Sequence, residues 1–253
     1  MNFKIKWTLN FFLILILLCI ISCNSIRLKS SGVLDEKIKI ETLTNRNKKV
    51  AFLPIQHIGK IKYYDDVSKK IDSLQKLNYV AFYESVSTEL TDSAAIDLLD
   101  RKYRKIVGNL QAKSGYLDTI NNKLYGNIDN DKKHNLINQP DYDKMNLDTL
   151  KAVNADVTFE KLINDFEDKN GLIKLDECDF KTHIDSTYNC QTLSNKMQKN
   201  FRKDFVLGLR NKYLAKLINN SDSTEILVIY GSAHFKGLVS ELKKIDSNWK
   251  YEK

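Results

Sequence analysis

The chain has 253 residues, 28% of them charged, with 40 Lys and Arg against 32 Asp and Glu for a formal charge of +8. The basic residues are mostly Lys, interspersed with acidic ones, and no basic stripe with interleaved aromatics marks a nucleic-acid surface. Only two prolines occur, Pro54 and Pro140, with no repeat at solenoid periods and no long low-complexity block.

The N-terminus reads as a targeting segment. Lys4 and Lys6 form a short basic start, followed by an apolar run from Phe11 to Ile21. The run falls short of the ~20 residues of a membrane-spanning helix and has the length of a signal-peptide core. It ends at Ile20-Ile21-Ser22-Cys23, which resembles a bacterial lipobox, a small residue before a cysteine that becomes lipidated and N-terminal after cleavage. Other readings at this point are an ordinary secretory signal or an uncleaved anchor. The expected organisation is a lipoprotein signal peptide over 1–22, a lipidated Cys23 with a polar tether to residue 47, and one domain over 48–253. Without Lys4 and Lys6 the charge is 38 − 32 = +6. The expected location is the bacterial cell envelope, with the membrane as partner through the lipid. In an exported chain Cys178 and Cys190 are the pair left over, and a disulfide between them is expected.

The remaining residues, about 200, suffice for one sizeable core. Lys49 to Gln56 predicts a strand, with His57 just beyond it. Tyr64 to Leu77 predicts a helix with Val67, Ile71 and Leu74 on one face, stopped at Asn78. Tyr79 to Tyr83 predicts a second strand, ending at Glu84. Strand, helix, strand suggests a βαβ unit and a parallel pair. Thr91-Asp92-Ser93 offers a helix start. Gly115 to Pro140, rich in Asn, Asp, Lys and Gly, predicts a loop or small helical insertion. Asn146 to Phe166 predicts one or two helices, and Gly171 to Gln191 shows little periodicity.

Leu193 to Ile218 predicts a long helix, with Met197, Phe201, Phe205 and Leu209 recurring every four residues. Gly208 inside it costs ~1 kcal/mol relative to Ala, which suggests close packing. Thr224 to Tyr230 predicts a buried strand, Phe235 to Ile245 a helix, and Trp249 to Tyr251 a short last strand. The fold class is α/β (mixed α+β): a central, mainly parallel sheet flanked by helices, with an irregular helical middle insertion.

His57, Glu84 and His234 each lie just past an apolar strand-like run, where ligand crevices of open α/β sheets lie. Two imidazoles and a carboxylate are also a common set for a catalytic metal with an open position. Gly231-Ser232-Ala233-His234 joins strand to helix, and Gly231 permits a tight turn or close backbone approach. Arg210 flanks the apolar face of the long helix and could bind a carboxylate or an oxyanion with its forked donors. Each residue has a plainer role open to it: a helix-capping histidine, a loop histidine, a strand exit into solvent, a surface arginine. His134 and His183 lie in polar stretches and are expected in solvent. No glycine-rich phosphate loop, G-x-S-x-G elbow or H-E-x-x-H helix is present.

The order of these pieces resembles the TraB/PrgY/GumN family, related to the Tiki metalloproteases, from about Lys49 to Tyr251. The matching motifs are Pro54-Ile55-Gln56-His57-Ile58-Gly59, Val80-Ala81-Phe82-Tyr83-Glu84, Arg210-Asn211 before a strand, and Gly231-Ser232-Ala233-His234-Phe235-Lys236-Gly237. Pro54 stands where the first family motif has glycine. The resemblance implies a mixed α/β fold whose motifs meet at one site. In Tiki-like members it implies metal-dependent peptide hydrolysis with manganese or cobalt. His57 and His234 would hold or polarise that site, Glu84 would be a ligand or general base, and Arg210 would steady negative charge. A non-catalytic envelope lipoprotein binding a peptide or other small ligand is the alternative.

If Cys23 carries the anchor, Cys23→Ser is expected to release the protein from membranes and abolish acyl labelling. A wild-type protein that retains residues 1–22, or carries no acyl chain, would contradict the lipobox reading.

Overall fold

The computed structural model describes residues 28–108, 116–118, 122–124 and 128–252. Cys19 and Cys23 lie outside them. Among the described residues no helix is long and apolar enough to cross a membrane.

The core is a six-stranded sheet. Its strands are β1 (Glu41–Thr44), β2 (Lys49–Ile55), β4 (Val80–Tyr83), β9 (Val153–Asn154), β10 (Glu225–Gly231) and β11 (Lys250–Glu252), in the order β11-β1-β2-β10-β4-β9. The run β2-β10-β4-β9 is parallel, and β1 is antiparallel to both its neighbours. This is the expected mixed α/β class with a mainly parallel sheet. The expected partnership of β2 with β4 is corrected. The two strands run parallel, but β10, from the far end of the chain, lies between them. Ile226 to Tyr230 are all fully buried, and a strand covered on both faces belongs in the middle of a parallel sheet.

Residue alternation divides the core. Ala51, Leu53, Ile55, Leu227 and Ile229 pack on the helix α1 (Ile61–Lys76) through Tyr64, Val67 and Ile71. Val50, Phe52, Ile226, Val228 and Tyr230 pack on helices α6 (Arg210–Asn220) and α7 (Phe235–Ile245) through Leu214, Ile218, Leu238 and Leu242. Asn78, at φ 63°, ends the α1 segment. Pro54 lies in β2 beyond Phe52, the last residue paired to β1, so its missing N–H need not break a bond on that side.

Four further expectations are corrected. The tether is part of the fold: Leu28, Val33, Ile38 and Leu43 are buried, and Glu41–Thr44 is β1. Among the described residues of the middle insertion the regular structure is chiefly short strands, with one 3₁₀ turn, Lys132–His134. The strand β3 (Ile58–Lys60) pairs with β8 (Leu136–Asn138), and β5 (Leu117–Asp118), β6 (Lys123–Leu124) and β7 (Ile128–Asp129) form a small meander. Residues 146–158 hold no helix: a short helical turn ends at Met145, a hydrogen-bonded turn follows over 148–152, then β9, and helix α3 (Phe159–Asn170) starts only at its Thr158 cap. His134 is half-buried rather than solvated, with its Nε2 enclosed.

The helix α2 (Ser93–Val107) begins at an Asp92 cap. The long helix is continuous but not uniform. Helix α5 (Asn195–Asn200) runs into a π-helical segment, Phe201–Leu209, and then into α6. A strict four-residue apolar repeat drifts off one face of a 3.6-residue helix; within the π-helical segment Phe201 and Phe205, one turn apart, are both buried. A Cβ on Gly208 would come within 3.2 Å of the Lys203 carbonyl, five residues back.

Cys178 and Cys190 are disulfide-bonded, with Cα atoms 5.9 Å apart. The same loop, with the short helix α4 (Glu177–Lys181), is also tied to α2. Arg104, buried, donates to the carbonyls of Asp179, Thr182 and His183, and Lys105 pairs with Asp176 and Asp179. The Cys178→Ser/Cys190→Ser variant is therefore expected to lose no more than ~3 kcal/mol in urea unfolding, the loop-entropy value for a bridge of this span. Loss of a cooperative transition would show instead that the polar ties cannot hold the loop.

Candidate functional site

Parallel strands present their carboxyl ends on one edge. β2 ends at Ile55, two residues before His57; β4 ends at Tyr83, directly before Glu84; β10 ends at Gly231, and a single 3₁₀ turn, Ser232–His234, leads into α7. Register puts Gly231 beside Ile55 and Ile229 beside Tyr83. The three predicted side chains therefore arrive around β10.

Gly231 is their meeting point. A Cβ there would lie 3.1 Å from Glu84 Oε2 and 3.7 Å from both His57 Nε2 and His234 Cδ2. Its φ is −53°, so glycine is needed here for room rather than for an unusual backbone conformation. Its N–H also donates to Glu84 Oε2.

Arg210 binds the cluster together. It lies at the junction of the π-helical segment with α6 and is 6% exposed. Nε donates to Asp156 Oδ1 at 2.8 Å, and Nη2 donates to Asp156 Oδ2 and Glu84 Oε1, both at 2.6 Å. Nη1 has only longer partners, the Val206 carbonyl and His234 Nε2, each at 3.4 Å. The Tyr230 ring lies with its centroid 5.5 Å from the guanidinium carbon. Burial opposes the charge on Arg210, but Asp156 and Glu84 outweigh it and raise its pKa. Burial likewise opposes ionisation of Glu84, but Arg210 and the Gly231 N–H hold its carboxyl below the ordinary carboxylate range.

Each histidine is oriented by a side-chain amide. His234 Nδ1 lies 2.8 Å from Asn211 Oδ1, and His57 Nδ1 lies 3.1 Å from Gln139 Oε1. An amide oxygen accepts, so both Nδ1 atoms carry hydrogen and both Nε2 atoms face the cluster. His234 is buried, and burial, assisted by Arg210 against the pull of Glu84, pushes its pKa down to about 4. His57 is half-buried and stacks on Tyr116, centroids 4.7 Å apart. Gly237 makes the His234 arrangement possible: a Cβ there would lie 2.0 Å from Asn211 Nδ2. Just beyond the middle insertion, the Tyr142 hydroxyl donates to the Glu84 carbonyl at 2.8 Å.

All four sequence-derived residues, His57, Glu84, His234 and Arg210, thus meet. Asp156, Gln139, Tyr116 and Tyr142 were not anticipated, nor was the bond from Asn211 to His234. Asp156 follows a strand as Glu84 does, but β9 has two residues and leaves no readable pattern. Cys178 and Cys190 lie in the α4 loop, apart from this cluster.

The manganese or cobalt ion implied by Tiki-like members does not fit the donors as arranged. No group of three or more His, Cys, Asp or Glu side chains among the described residues is placed to hold a metal ion. Both Glu84 oxygens already accept N–H bonds, and Arg210 stands against both Glu84 and His234.

No protein-family model, curated protein or solved structure matches the chain.

The titration of His234 gives a test of this geometry. Its folded pKa of about 4 is below its ordinary 6.5. From pH 6.5 down to 4 the unfolded chain takes up a proton that the folded one refuses, so stability falls with pH across that window. At 1.36 kcal/mol per unit the loss is on the order of 3 kcal/mol. Urea unfolding from pH 7 to 4 should show this slope in wild type and a shallower one in His234→Gln; identical slopes would contradict the buried neutral imidazole.

Proposed function

We propose that the chain is a cell-envelope lipoprotein of the TraB/PrgY/GumN type whose site hydrolyses a peptide or similar acyl bond. The observation that carries this reading is the approach of two imidazoles and a carboxylate to one glycine, with a buried arginine alongside. His57, the more accessible imidazole, is suited to act as general base, taking a proton from the attacking water and passing it to the departing amine or alcohol as the acyl bond breaks, since Gln139 holds its Nδ1–H and leaves Nε2 toward the cluster. Glu84 stays ionised and fixes Arg210. Nη1 of Arg210, the guanidinium nitrogen without a carboxylate partner, is the donor left for a developing oxyanion. His234, buried and neutral, accepts from that same nitrogen when no oxyanion is present. No step here runs through a metal.

One observation favours the second reading, a non-catalytic lipoprotein that binds a peptide or other small ligand. The five N–H groups of Arg210 and both oxygens of Glu84 already have partners within the protein. A site satisfied in this way is stable without turnover.

Detergent-solubilised full-length protein assayed on a peptide pool and on aryl esters separates the two. Hydrolysis that falls by about 10²–10⁴-fold in His57→Ala, the usual contribution of a general base, while the unfolding midpoint is retained, supports the enzyme. Saturable binding of an uncleaved peptide would favour the binding protein. Hydrolysis unaffected by His57→Ala and Glu84→Gln would place the chemistry elsewhere.

A further inference from the structure

We infer that the Arg210 guanidinium occupies the position of a divalent ion and makes this an intrinsically metal-free site. The inference concerns the same residues as the proposed function but needs no turnover.

Glu84 Oε1 and His234 Nε2 are 3.8 Å apart. An ion with ligand bonds of about 2.0–2.2 Å could bridge such a pair. The arginine fork bridges it instead, with Nη2 on Glu84 Oε1 and Nη1 facing His234 Nε2. The lone pairs an ion would take are therefore used, and by a group that is itself cationic. The other oxygen of Glu84 is held by the Gly231 N–H.

The fork is not free to leave. Asp156, its side chain fully buried, holds Nε and Nη2 from the opposite side in a two-point pair. Such a pair fixes the guanidinium plane as well as its place. Charge leads to the same conclusion. Two carboxylates and one guanidinium leave one net negative charge, and a divalent ion would have to sit against Arg210. Without Arg210 the two carboxylates carry two negative charges beside two imidazoles whose Nδ1–H groups are already held by amide oxygens. That is how metal-ligating histidines are commonly oriented. Arg210 is thus the group that stands between the Glu84–His234 pair and an ion.

The test is cation uptake by the full-length protein in detergent, read by elemental analysis and by titration with Mn²⁺ and Co²⁺, with the Co²⁺ absorption spectrum as a second signal. Wild type is expected to carry no stoichiometric metal after dialysis and to show no saturable binding. Arg210→Met is expected to bind at least about 100-fold more tightly than wild type and to gain thermal stability on binding, whereas Arg210→Lys, which keeps the charge, is expected to behave as wild type. Stoichiometric metal in wild type, removable by EDTA, would overturn the inference. So would a folded Arg210→Met that binds no better than wild type. If Arg210→Met does not fold even with the ions present, the wild-type measurement decides. Because uptake is read without substrate, a failure to find hydrolysis leaves this result standing.

Discussion

The buried pairing of Arg210 with Asp156 and Glu84 is the interaction on which the polar site depends. It joins three parts of the chain distant in sequence: the end of β4, the extended stretch before α3, and the start of α6. None of the three groups could be buried alone at acceptable cost, because removing one partner of a buried pair leaves an uncompensated charge worth about 3–5 kcal/mol. Together they satisfy one another. The π-helical segment just before Arg210 belongs to the same design, since π turns inserted in α-helices are rare and cluster at functional positions.

Around this pair, two amides do the finer work. Asn211 and Gln139 each take the Nδ1 hydrogen of a histidine and leave the other nitrogen toward Gly231. Asn211 can do so because Gly237 presents no side chain to its amide. The two glycines of Gly231-Ser232-Ala233-His234-Phe235-Lys236-Gly237 therefore have separate reasons: the first makes room for Glu84 and His57, the second for the residue that orients His234. Gln139 comes from the insertion, which also supplies Tyr116, and Tyr142 follows just after it. That segment, the least regular in sequence, forms one side of the site.

Elements with long or periodic apolar patterns were readable from the sequence. β2, β4, β10, α1 and α7 all lie within a residue or a few of the expected positions. The four chemical residues were readable for the same reason, because three sit at strand ends and one on a long helix. What escaped was short or set by tertiary contact. β1 has four residues, Glu41-Thr42-Leu43-Thr44, and follows a stretch that alternates charge and apolar character, Lys37-Ile38-Lys39-Ile40; this polar composition masked Ile38 and Leu43. β5, β6, β7 and β9 have two residues each, too few to show a period. Asp156 is recognisable only once Arg210 is known to be buried. The place of β10 between β2 and β4 is a choice among topologies that local pattern does not make.

That placement has a consequence for the order of folding. The centre of the sheet is supplied by residues 225–231, after about nine-tenths of the chain. Until they are present, β2 and β4 have no common neighbour, and His57 and Glu84 have nothing to converge upon. The contacts that complete the sheet span more than 140 residues (Ile226 with Val80, Ile226 with Val50), so loop closure must come before they stabilise anything, and folding is expected to be slow for the size of the domain. A nascent chain thus remains without its central strand, and without a formed site, until residues 225–231 have been made. If the chain is exported, as proposed, late closure of the sheet would keep it threadable during delivery.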